Sequence, residues 1–92
     1  MARKGFRNVQ DILRDKELGV IENYDIVKVE GNVVFINEIE GYMMLSDRFG
    51  LQVMFVKTNQ SLSNVHLGDK VWVKGSFDGF WFNISYFQSN KY

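Results

Sequence analysis

The residues able to do chemistry in this chain are few and poorly grouped. Cysteine is absent and His66 is the single histidine. Thiolate nucleophiles, disulfides and His/Cys zinc sites are therefore excluded. His66 has no aspartate, serine or cysteine in an order that suggests a triad, and it reads as a structural loop residue. Asp47 and Asp69 fall in turn positions whose geometry favours aspartate. No acid/base pair is left, so no catalytic residue, metal or cofactor is assigned, and the sequence predicts a binding protein and not an enzyme. What remains is the chemistry of aromatic faces and scattered cations. Aromatic residues make up 15% of the chain. Eleven Lys and Arg balance 11 Asp and Glu, for a formal net charge of +0. A protein that works by neutralising phosphates carries a basic excess. Any nucleic-acid binding here must rest on local patches and stacking.

The elements that must position these groups can be read from pattern. With 92 residues, the chain has room for one domain, 1–92. An apolar fraction of 46% suffices for a packed core. Residues 1–7 form a basic tail with Arg3, Lys4 and Arg7. No apolar run comes after them, so no secretory signal is read and a cytoplasmic location is expected. No stretch reaches bilayer-spanning length, so no membrane role is expected. Asn8 caps a helix over residues 9–18, closed by Gly19, within an 8–19 helical unit. Ile12, Leu13 and Leu18 are predicted to cover an open end or side of the β structure that begins near residue 24.

From residue 24 to 88 the period changes to two, and five strands separated by turns are predicted. No proline interrupts them. Gly31 and Gly75 each break a strand pattern and are expected to mark bends. A five-stranded sheet needs such bends to close, which favours an all-β barrel with a short N-terminal helix.

Three segments resemble the OB-fold of the tRNA-anticodon-binding type. That family includes domains of aspartyl-, asparaginyl- and lysyl-tRNA synthetases and the N-terminal domain of the exonuclease VII large subunit. Val27-Lys28-Val29-Glu30-Gly31-Asn32-Val33 is similar to its first strand. The run from Gly41 to Val53, with Asp47-Arg48-Phe49-Gly50 as its turn, is similar to its second strand and the start of its third. Leu67-Gly68-Asp69-Lys70-Val71-Trp72-Val73-Lys74-Gly75 is similar to its fourth. The chain departs from the pattern in two places. One position is missing between Gly50 and Leu51, and the connection from the third strand to the fourth is too short for the family's plugging helix. The N-terminal helix is expected to plug the barrel instead. Without a synthetase catalytic domain, tRNA charging is not expected.

Alternation assigns the faces. Val27, Val29, Val33, Phe35, Met43, Leu45, Leu51, Val53, Phe55, Val71, Val73, Phe82, Ile84 and Tyr86 are predicted inward. Lys28, Glu30, Asn32, Val34, Ile36, Tyr42, Met44, Gln52, Met54, Trp72, Lys74, Trp81, Asn83 and Ser85 are predicted outward. OB barrels bind single strands across their second and third strands. The resemblance implies that Tyr42 stacks on a base and that Gln52 reaches a base edge. Met44 and Met54 would lie against bases, Asn32 would add hydrogen bonds, and Lys28, Arg48 and Lys74 would hold phosphates. Trp72 and Trp81 either meet as a cross-strand pair on the fourth and fifth strands or are buried under the N-terminal helix.

The first reading is thus a small protein that binds single-stranded DNA or RNA by stacking, with little sequence preference. The alternative is an interaction subunit or homo-oligomer. It rests on the outward apolar set Val34, Ile36, Met44 and Met54, the kind of patch that marks protein interfaces.

Overall fold

A computed structural model describes residues 4–89. Its elements in chain order are β1 (Arg7–Asn8), α1 (Val9–Glu17), β2 (Val27–Asn37), β3 (Tyr42–Ser46), β4 (Val53–Lys57), β5 (Lys70–Asp78) and β6 (Trp81–Ser89). Strands β2 to β6 close into the five-stranded OB-fold barrel that the sequence predicts, in the order β2-β3-β4-β6-β5 and back to β2. The 11-residue β2 makes closure possible by serving two partners. Val27–Asn32 pairs with β5, and Asn32–Asn37 pairs with β3. Gly31 lies at this hand-over, where a Cβ would come within 2.9 Å of the Val9 side chain and 3.0 Å of the Leu45 Cβ. The seam between β4 and β6 is short and parallel, with Val56 opposite Phe82 and Lys57 opposite Asn83.

Helix α1 is capped as its sequence dictates. Asn8 is extended, and its Oδ1 accepts from the Asp11 amide at 2.9 Å. Val9 and Ile12 are fully buried and Leu13 packs against the core, so the helix does cover the barrel. Leu18, the expected third anchor, is 69% exposed. It lies five residues past Leu13, about 140° round a helix of 3.6 residues per turn, and so off the buried stripe. The connection between β4 and β5 contains no helix, yet Leu62 and Val65 turn inward from it and complete the core. Among the described residues no helix is long and apolar enough to cross a membrane.

The inner face contains Val27, Val29, Val33, Met43, Leu45, Val71, Val73 and Phe82, as alternation predicts. Three stretches depart from it. A register shift between Val33 and Phe35 turns Val34 and Phe35 both outward and swings Ile36 onto the core. A second shift, opposite Lys74 and Gly75, bulges Ser85 and puts Tyr86 outside and Phe87 inside. A bulge adds one residue on one strand, so the facing of everything beyond it reverses. In β4 the phase is opposite to that expected. Met54 and Val56 are buried, while Val53 is exposed and Phe55 half-buried on the outside. The turn before β4 explains why. Asp47 Oδ1 accepts from the amides of Phe49 and Leu51, holding Leu51 in the turn, where it is exposed. Trp72 and Trp81 do not meet, because Trp72 pairs with Gln88 and Trp81 with Asp78 at opposite ends of the β5–β6 hairpin. Trp72 is buried, and its Nε1 donates to Glu30 Oε1 at 2.8 Å.

The N-terminal arm is tied down where its residues are described, and Arg3 lies outside them. Strand β1 runs parallel to β2, and Arg7 Nη2 donates to Asp15 Oδ2 at 2.6 Å. That hydrogen bond, more than the charge of Arg14 nearby, holds the Asp15 carboxyl below the usual carboxylate range. A depressed folded pKa gives stability that is present above the unfolded value, about 3.9, and is lost as pH falls through the folded one. Carboxyl titration followed by NMR should show Asp15 below its ordinary value, and Arg7→Ala should raise it. An Asp15 pKa unmoved by Arg7→Ala would show that the arm is not held by this pair.

Candidate nucleic-acid interface

The bulge at Val34 creates the surface that carries the aromatic chemistry. By turning Phe35 outward it sets up two rows across the outer sheet. One row is Phe35–Met44–Phe55 and the next is Asn37–Tyr42–Lys57. The short β4–β6 seam then brings Trp81 and the hairpin residue Phe80 beside β4. The rings form a continuous chain. Phe35 and Tyr42 lie 5.8 Å apart between centroids, Tyr42 and Trp81 5.3 Å, Trp81 and Phe55 5.7 Å, and Phe55 and Phe80 4.8 Å. Trp81 is the hub, meeting Tyr42, Phe55 and Phe80 close to edge-on. Such geometry suits the ring quadrupoles and stiffens the set. Lys57 Nζ sits 4.5 Å from the Trp81 ring centroid, in cation–π range. Phe80 is 67% exposed and Phe35 41%, so this belt presents apolar ring surface to solvent.

The residues expected at the site divide into separate groups. Tyr42 and Met44 are in the belt, both half-buried. Gln52 is exposed between the Asp47 turn and β4. Met54 faces the core and is 2% exposed, so it cannot lie against a base. The expected apolar patch dissolves with it, since Ile36 also packs inward. Lys28 and Lys74 face one another across β2 and β5, with Tyr86 next in the row, so they are not beside Tyr42. Lys28 Nζ lies 5.7 Å from the Phe6 ring instead. Asn32 and Arg48 share a cleft of about 400 Å3 at the other end of β3, which Glu30 and Asp47 also line.

Five belt members are not identified as binding residues by the sequence pattern. Alternation places Phe35 and Phe55 inside and pairs Trp81 with Trp72, and it does not single out Phe80 or Lys57. One signal bears on Trp81 alone. In Phe80-Trp81-Phe82 the alternation of a strand cannot bury both Trp81 and Phe82, so one of these large rings must face outward.

No family model matches this chain, and no curated protein matches its sequence. Among solved structures it is similar to the telomere capping protein Ten1 from Saccharomyces pombe, with a TM-score of 0.68 at 12% identity. The match covers 95% of this chain and 81% of that one. At that identity the likeness establishes the OB barrel and nothing finer. The anticodon-binding subtype continues to rest on the three sequence segments that resemble it.

Proposed function

We propose that this protein binds single-stranded nucleic acid, DNA or RNA, by stacking bases on the outer aromatic belt. The observation that carries the reading is the unbroken chain Phe35–Tyr42–Trp81–Phe55–Phe80, with Lys57 seated on its hub. Single-strand binders combine ring platforms with cations that track the backbone. The belt crosses β2, β3, β4 and the start of β6, and so includes β3 and β4, the barrel's second and third strands, across which OB barrels bind oligonucleotides. Structural similarity to a telomere capping protein is in keeping with it. The rings themselves carry almost no base-edge hydrogen-bonding capacity, so stacking dominates and sequence preference is small. With a net charge of +0, few counterions are released. A labelled single-stranded oligonucleotide should therefore bind with a shallow dependence on salt. DNA and RNA of the same sequence run in parallel identify the preferred sugar. No binding at low salt would overturn the reading.

A second reading has its own support. Leu18, Val20 and Ile26, in and around the α1–β2 connection, are each at least 66% exposed. They are not part of the belt and suit a protein partner or a second copy of the chain. Sedimentation of the free protein gives its oligomeric state independently of the oligonucleotide titration.

A further inference from the structure

The short β4–β6 seam leaves a gap beside the belt. β4 finds register partners on β6 at Val56 and Lys57, and the strands part before Val53–Phe55. Helix α1 closes the bottom of this gap and the β5–β6 hairpin forms its far wall. The result is a cavity of about 200 Å3 lined by Leu13, Lys16, Val53, Phe55, Phe77 and Phe80, with Met54 and Gly79 behind. Two of its walls, Phe55 and Phe80, are belt residues in ring contact at 4.8 Å. The cavity is thus the continuation of the belt past its last ring.

Its charge is as telling as its shape. Lys16 is the one charged residue in the lining. Its Nζ lies 5.2 Å from the Phe77 ring centroid, and among the described residues no carboxylate forms an ion pair with it. In the larger cleft near Arg48 the cations Arg48 and Lys70 are balanced by Glu30 and Asp47, with Lys70 paired to Glu30 at 3.9 Å.

We propose that this cavity takes one unstacked nucleobase of the bound strand, with Lys16 contacting the phosphate beside it. The inference rests on the single-strand reading above and adds to it a fixed end point for the strand. Aromatic and aliphatic walls grip the flat faces of a base, and no side chain in the lining can read a base edge except Lys16. Any base is accepted, and the position is defined by geometry instead of sequence. An apolar side chain from a partner protein would also suit the walls, but would leave Lys16 without a role.

The test uses the full chain and a single-stranded oligothymidylate trimmed to the shortest length that keeps full affinity, within the roughly 4–16 nucleotides one OB barrel covers. Trimming stops the strand from sliding. A series with one abasic site at each position in turn should show one position where base loss weakens binding about tenfold, the effect of one well-held base. Val53→Trp, which fills the cavity from its exposed rim, should weaken the intact oligonucleotide by a similar factor and make that abasic position silent. Lys16→Glu, a change in helix α1 away from the rim, should weaken binding without depending on how Val53→Trp folds. A flat abasic profile, or full affinity in both variants, overturns the cavity proposal while leaving the belt intact. Failure of the wild-type protein to bind any of these oligonucleotides overturns the single-strand reading itself.

Discussion

Trp81→Ala is expected to weaken single-strand binding by about 10- to 100-fold, or about 1.4–2.7 kcal/mol, within the roughly 1–3 kcal/mol assigned to one stacked base. The size comes from its position as hub. Trp81 meets Tyr42, Phe55 and Phe80 and carries Lys57 on its face. Alanine removes a stacking surface, frees three neighbouring rings to rotate, and releases the cation from its seat. Tyr42→Ala, nearer one end of the chain of rings, should cost less. Trp81→Phe keeps a ring at the hub and should recover much of the affinity. The side chain is half-buried on the outer face, so the barrel should still fold, which circular dichroism can establish. Fluorescence anisotropy against one labelled oligonucleotide gives the ratio directly. Affinity within about twofold of wild type for Trp81→Ala would remove the belt from the binding surface.

Gly75→Ala should have the largest effect on stability of any single methyl added to this chain. A Cβ there would lie 2.0 Å from the Asn83 carbonyl oxygen, 2.9 Å from its carbon and 3.0 Å from the Ile84 Cα. All three are backbone atoms of the paired strand, so no side-chain rotation relieves the clash. The β5–β6 ladder has to open beside the bulge, where Ser85 Oγ donates to the Lys74 carbonyl at 3.0 Å. Overpacking typically costs about 1–3 kcal/mol and more when the backbone must move. A loss of about 3 kcal/mol or more is expected, a large share of the roughly 5–15 kcal/mol available to a domain. Gly31→Ala is the internal control. Its contacts are longer, 2.9 Å to a Val9 methyl, 3.0 Å to the Leu45 Cβ and 3.3 Å to the Ser46 carbonyl oxygen, so it should also lose stability but less than Gly75→Ala. Urea unfolding of both variants measures the difference. A Gly75→Ala loss below about 1 kcal/mol would mean that the β6 bulge relaxes freely.

Some of this protein is decided locally, and that part is legible in the amino-acid sequence. The Asn8 cap and the Asp47 turn act through hydrogen bonds within a few residues, and Gly31 and Gly75 are visible as interruptions of apolar strands although what they make room for is contributed by other strands and the helix. The order of five strands comes from alternation broken by turns, so the barrel and its preceding helix can be anticipated. Which rings reach solvent is decided elsewhere. In Val33-Val34-Phe35-Ile36 and Val53-Met54-Phe55-Val56 every residue is apolar, and an all-apolar run fits either phase of a strand equally well. The bulges at Val34 and Ser85 reverse the facing of the residues beyond them, and they arise because a closed sheet must bend while each strand keeps its partners on both edges. The Asp47 turn set the phase that sends Met54 inward and Phe55 outward, while tertiary closure turned Phe35 outward at the β2 bulge and placed Trp81 among these rings across a seam of two residue pairs. It also parted Lys28 and Lys74 from Tyr42, because β2 bends from one partner to the other between them. Side-chain types are set one residue at a time, but a binding surface depends on which residues share a face, and in a barrel that is settled only when the last strand closes.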